Sequence, residues 1–230
     1  LSPSSAASDV YKRQVEGDYF TLQKLAAQEN VTRIIDDGRV RAVGIADVLS
    51  SIPIRPVVQD LGWNLDAIKA TTAHQMNFTG RNATIAILDT GVNYHLVDLD
   101  EGYLGGIDIV YNDPDPNDIY GHGTKCTSII AGEGESYKGV APEAHYYAVK
   151  VLNDEGWGNW SDVIAGLEWC LDQINSGRKI DIISMSLGGS VAPPELEAVC
   201  DELFSKGVIL VAASGNDGLP VSIYPAAYDS

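Results

Sequence analysis

From Thr84 onward, short apolar runs alternate with longer amphipathic stretches. Thr84–Leu88, Ala144–Leu152, Ile180–Met185 and Val208–Ala213 are dominated by Val, Ile, Leu and Ala, the pattern of parallel strands buried on both faces. Two helices are predicted between them. Ser161 is placed to cap one that runs to about Asn175, with Gly177 just past its end. Pro193 and Pro194 open another that reaches about Lys206 and closes at Gly207. The small, apolar run Cys126–Ala131 reads as a third, buried helix. This alternation predicts an α/β fold, a three-layer, doubly wound and mostly parallel sheet. Such sheets place functional residues at the C-terminal ends of their strands.

The earlier part reads differently. Phe20, Leu22 and Leu25 give Tyr19–Glu29 a helical spacing, and a strand-like Val31–Ile35, a turn at Asp36-Asp37-Gly38 and a strand-like Arg39–Val43 follow. Pro53 and Pro56 make Ile52–Val58 a linker. Leu1–Gln14 carries neither a helical face nor the basic start and apolar core of a signal peptide. Ser4–Gln14 resembles a translated sequencing adapter, its last six residues fitting GAT GTG TAT AAG AGA CAG codon by codon. Residues 1–14 are therefore read as adapter translation, against the alternative of a genuine Ser/Ala-rich terminus, and any targeting signal is expected to be missing from this sequence.

Composition narrows the classes. Hydrophobic residues make up 45% and charged residues 20% of the 230, enough apolar content for a sizeable core. No apolar run approaches the roughly 18 residues of a membrane span. The formal charge of −17 argues against nucleic acid as a partner, because phosphate binding draws on clustered Lys and Arg. It suits an extracellular or salty setting but names no activity.

The chemistry concentrates at strand ends. Asp89 ends an apolar strand and enters the turn Asp89-Thr90-Gly91. His122 lies between glycines in Gly121-His122-Gly123-Thr124, which lets backbone or substrate approach an imidazole closely. Asn216 follows a predicted strand in Ser214-Gly215-Asn216-Asp217-Gly218, where its amide can donate to an oxyanion. An Asp that orients a His, with a fixed amide donor, is most of the equipment for acyl transfer by a serine nucleophile. Asp-Thr-Gly after apolar residues is also an aspartic-protease signature. That alternative needs an all-β fold and a second motif, against the helices and the His122 block.

Five ordered blocks now resemble the subtilisin-like serine proteases, the subtilases: Ile87-Leu88-Asp89-Thr90-Gly91, Gly121-His122-Gly123-Thr124, Gly139-Val140-Ala141-Pro142, Ser184-Met185-Ser186-Leu187-Gly188-Gly189 and Ala212-Ala213-Ser214-Gly215-Asn216. The resemblance covers about Trp63 to Ser230. It implies a catalytic set in which Asp89 supports His122, His122 acts as general base and then general acid, and Asn216 stabilises the oxyanion. It implies that peptide or protein substrate lies as an extended strand between Glu155-Gly156-Trp157-Gly158 and Ser186-Leu187-Gly188. By the same resemblance Ala213, Ser214 and Gly215 line the primary specificity pocket, and Trp160 walls a pocket further along. Trp157 is bulky for an edge that is usually small, and Lys125 stands where many members carry a second His.

The family's serine block, a Gly-Thr-Ser-Met-Ala-like string, does not occur between Asn216 and Ser230. The chain is therefore expected to be a fragment, inactive as given, of a secreted endopeptidase precursor that is a monomer when complete. An exposed sheet edge is expected at its C-terminal side. The alternative reading is a non-catalytic subtilase-fold module that binds peptides. Residues 15–42 resemble the end of a propeptide, an expected partner of its own protease. Residues 43–62 are then a linker holding the maturation site, between Ala42 and Gln59, and residues 63–230 the peptidase domain.

No catalytic cofactor or metal ligand is assigned. The resemblance allows structural calcium, with Asp98 at a position that is acidic in some members, but the segment from His122 to Gly139 is short for the usual loop. Asp113, Asp115 and Asn117 open like an EF-hand, yet Asp118 and Thr124 fall where Gly and Glu are required. Cys126 resembles the buried thiol of the proteinase K branch. Cys170 and Cys200 fall on two helices expected to pack as neighbours, either as a disulfide or as buried thiols. Asn30, Asn77, Asn82 and Asn159 lie in glycosylation sequons, which matter only on a secretory route.

Overall fold

The computed structural model describes residues 37–43, 62–134, 138–216, 218 and 221–228. The adapter-like residues 1–14, the helix and strand expected within 19–35, and the linker at 52–58 lie outside the described residues.

Five strands form one sheet: β2 (Thr84–Asp89), β3 (Tyr103–Asp108), β4 (His145–Lys150), β6 (Ile182–Met185) and β8 (Ile209–Ala212). Their order is β3-β4-β2-β6-β8, and every pairing is parallel. β2 is central, and all six of its residues are buried. Its side chains alternate between two cores, as a pleated strand demands. Ala86 and Leu88 pack into a cluster with Val163, Leu167, Leu196 and Leu203. Ile85 and Ile87 pack with Val92, Leu99, Ala131 and Tyr146 on the other face. The fold is α/β with the central strand covered on both faces, as the strand pattern predicts.

Five helices are described: α1 (Trp63–Ala67), α2 (Ala70–Gln75), α3 (His122–Ala131), α4 (Trp160–Asn175) and α5 (Pro194–Ser205). α4 opens at Trp160, earlier than the Ser161 cap predicts, because Asp162 in its first turn accepts a hydrogen bond from the Asn159 N–H at 3.2 Å. The Ser161 hydroxyl instead donates to Asp37 at 2.7 Å. α3 begins at His122 itself, four residues ahead of the apolar run that signals it. α4 and α5 share one core cluster, and Cys170 and Cys200 are buried free thiols within it. Burial pushes the Cys200 thiol up to about 12 and Cys170 further, so both stay protonated and unreactive.

A second, three-stranded sheet has the order β5-β1-β7, with β1 (Arg39–Ala42) in the middle. β1 runs antiparallel to both β5 (Trp157–Asn159) and β7 (Leu187–Gly188). β3, β5 and β7 carry no periodic apolar signal, being short or glycine-rich, and only the structure reveals them. β8 comes last in the order of the large sheet among the described strands, and its Ile209 and Val211 side chains are exposed.

Candidate active site

Asp89 lies at the last position of β2, flanked by strands on both sides and 1% exposed. Its backbone carbonyl accepts from the Val151 and Leu152 N–H groups at 2.9 and 3.1 Å. His122, 7% exposed, points its Nδ1 at both carboxylate oxygens of Asp89, at 2.7 and 2.9 Å. The glycines around His122 are structural necessities. A Cβ at Gly123 would come within 2.1 Å of the Gly91 carbonyl and 3.0 Å of the Asp89 Cβ. Gly121 adopts φ 90°, the left-handed region that lets the chain turn into α3.

A buried network that the sequence reading did not single out holds the two elements together. Thr90 donates its hydroxyl to Asp118 at 2.9 Å and accepts from the Gly123 N–H at 2.9 Å. Asp118 also accepts from the Gly121 N–H at 2.7 Å, the Thr124 N–H at 2.9 Å and the Thr124 hydroxyl at 2.6 Å. A carboxylate there satisfies orphan donors at the start of α3 and complements its dipole. Lys150, 1% exposed, donates to the Thr90 carbonyl at 2.7 Å and to Asp154 at 2.9 Å. The only sequence signal for Asp118 is its place just before a His flanked by glycines.

Burial works against a charged imidazole at His122. The hydrogen bond that His122 donates to Asp89, its interaction with Cys126 and the Asp89 charge outweigh it, and its pKa rises to about 10. Cys126 lies one turn along α3, its Sγ 3.8 Å from Nδ1 and 4.0 Å from Nε2. Asp89, His122 and Cys126 thus bring a carboxylate, an imidazole and a thiol within 4.8 Å of one another, a donor set that could hold a metal ion.

The other candidate residues lie along neighbouring strand ends. Parallel register pairs Leu88 with Met185 and Met185 with Ala212. Asp89, Ser186 and Ala213 therefore follow on the same edge of the sheet. The Ala213 N–H donates to the Met185 carbonyl at 3.1 Å. Ser214 and Asn216 are exposed in the segment after β8, and Gly215 has φ 91° with Ile223 close by.

Gly156, Gly158, Ser186, Leu187 and Gly188 all meet the segment Arg39–Val43. The Ala42 N–H donates to the Gly156 carbonyl at 3.0 Å and the Val43 N–H to the Ser186 carbonyl at 2.8 Å. Val40 pairs with Gly158, Arg41 with Gly188, and Ala42 with Leu187. Val40 is 1% exposed and joins the core cluster that contains Trp160 and Leu187. Trp160 donates its N–H to the Gly38 carbonyl at 3.0 Å and its indole N–H to the Val191 carbonyl at 2.5 Å. The occupied channel ends at Ser186, about one strand spacing (roughly 4.8 Å) from the row of Asp89.

Among known proteins, the family model described as the Subtilase family matches residues 80–230. Minor extracellular protease Epr of Bacillus subtilis is 38% identical over 172 residues, covering 73% of this chain and 25% of its own length. Serine protease AprX of Bacillus subtilis is 39% identical over 163 residues, covering 65% and 36% respectively. Subtilisin E of the same organism is 36% identical over 179 residues, covering 75% and 45%. The chain thus spans under half the length of these three relatives.

Proposed function

The chain belongs to the subtilase family, and on that premise we propose that it is part of the precursor of a secreted serine endopeptidase. One observation carries the reading: a buried Asp89–His122 pair lies at the end of a channel already filled by an extended segment of the same chain. Asp89 accepts the Nδ1 proton of His122, which fixes the tautomer and leaves Nε2 free to act as base. His122 then takes the proton of a serine hydroxyl supplied by sequence following Ser230, and returns it to the leaving amine. Asn216 donates its side-chain amide to the oxyanion of the tetrahedral intermediate. Substrate peptides occupy the place of Arg39–Val43, hydrogen-bonded through their backbone to Gly156 and Ser186.

On this reading Arg39–Val43 is the end of a propeptide held as a product, and residues 15–43 belong to it. The Val43 N–H bonds the carbonyl of Ser186, the residue level with Asp89 on the neighbouring strand, so we place the maturation bond at Val43–Gly44. Secretion is supported by the extracellular naming of one relative and by the acidic surface.

The test is to express the complete reading frame, sequence the N-terminus of the mature product and treat it with a serine-directed fluorophosphonate. The expected result is a new N-terminus at Gly44 and a label on a serine beyond Ser230. A complete frame with no serine block, or an intact protein that neither matures nor labels, would overturn it in favour of a peptide-binding module.

A further inference from the structure

We propose that Trp157 reads a cationic side chain on the third residue before the cleaved bond, so that peptides with Arg or Lys there are preferred. The proposal rests on the protease reading above and deepens it by naming a substrate class.

The register carries it. Arg41, two residues before Val43, lies opposite Trp157 in β5 and Gly188 in β7. Hydrogen bonds decide how close those pairs are. The Ala42 N–H bonds the Gly156 carbonyl, and in an antiparallel ladder hydrogen-bonded and narrow pairs alternate. Arg41 and Trp157 therefore form a narrow pair, with Cα atoms about 4.5 Å apart and side chains on one face. The backbone of Trp157 agrees with that assignment. Its N–H donates to the Asn153 side chain at 2.9 Å and its carbonyl accepts from the Asn153 N–H at 2.7 Å, so both groups serve its own loop. On the other flank Gly188 has no side chain to compete.

Orientation follows from the pleat. Val40, the neighbour of Arg41, is buried in the core, so Arg41 points to the opposite, solvent side. Trp157 is 46% exposed and belongs to neither core cluster. The turn before it requires glycine: Gly156 has φ 79°, and a Cβ there would lie 2.9 Å from the Tyr120 ring. An indole face beside a guanidinium or ammonium attracts it through the ring quadrupole, and the acidic surface, including exposed Glu155 next to it, adds a favourable field.

The experiment uses the matured enzyme from the complete reading frame and quenched peptides built on Arg39–Val43. Position 41 of the peptide is varied among Arg, Lys, citrulline (the uncharged isostere of Arg) and Glu. Arg and Lys are expected to exceed citrulline by about 2–5-fold in kcat/KM, mainly through KM. Trp157→Phe keeps part of that ratio and Trp157→Ser brings it to about one. A ratio near one in the unaltered enzyme overturns the proposal. So does a ratio that survives Trp157→Ser and vanishes in Glu155→Gln, which would make the acidic flank the reader. Turnover of no peptide, together with no fluorophosphonate label, would instead bring down the protease reading and this proposal with it.

Discussion

Val40 offers the sharpest measure of how tightly the channel holds its own segment. It is 1% exposed and lies in the same cluster as Trp160, Leu152 and Leu187. Val40→Ala removes two methyl groups from that pocket. Each buried carbon contributes about 0.8 kcal/mol, and a residual cavity raises the loss to about 2 kcal/mol. That corresponds to about 30-fold in affinity. The assay is competitive inhibition of the matured enzyme by synthetic peptides spanning Asp37–Val43. Arg39 is the internal control, because it is exposed and faces Asn159 across the ladder. Arg39→Ala should change the inhibition constant by no more than about threefold, in the range of exposed substitutions. If Val40→Ala weakens inhibition by less than about threefold, or no more than Arg39→Ala does, the side chain at 40 is not the anchor and the inference from burial fails.

Other expectations concern the catalytic set. Asp89→Asn should lower kcat by about 10⁴-fold, the scale seen for triad carboxylates, subtilisin included. The same variant should shift the pH profile. With His122 raised from 6.5 to about 10, the pair's contribution to stability is complete below about 6.5 and is lost as pH rises through 10, while base catalysis grows over that window. In Asp89→Asn the rising limb of kcat/KM should move down toward 6.5; a limb that does not move would refute the pairing. Asn216→Ala should cost about 10²–10³-fold in kcat with little change in KM, a scale set by subtilisin's own oxyanion Asn. A change confined to KM would place Asn216 outside the reacting centre. Asp118→Ala strips four hydrogen bonds from a buried carboxylate's partners and should destabilise the mature protein by about 3 kcal/mol in urea unfolding, with Asp118→Asn less severe.

What was legible in the sequence follows from the physics of each element. β2, β4, β6 and β8 are buried strands that must be apolar on both sides, so composition alone reveals them. The place of Asp89 and the need for glycine beside His122 were legible for a related reason, since a turn and a close approach restrict residue choice. β5 and β7 were hidden because they are only a few residues long and stand only when β1 lies between them. Asp118 and Lys150 were hidden for the opposite reason. Taken singly, an acidic or basic side chain reads as solvated surface, and only tertiary partners reveal that both are buried and satisfied.

The central place of β1 has a consequence in terms of mass action. While Arg39–Val43 is still covalently attached, its effective concentration at the channel is fixed by the chain and independent of dilution, typically millimolar for a short tether. If the proposed maturation cuts the bond after Val43, the same contacts would become a bimolecular equilibrium governed by total protein concentration. Cleavage would then change the order of the inhibition rather than end it. On that reading matured but concentrated protein would stay occupied by its own product, and diluting it, or destroying the released segment, would open the channel.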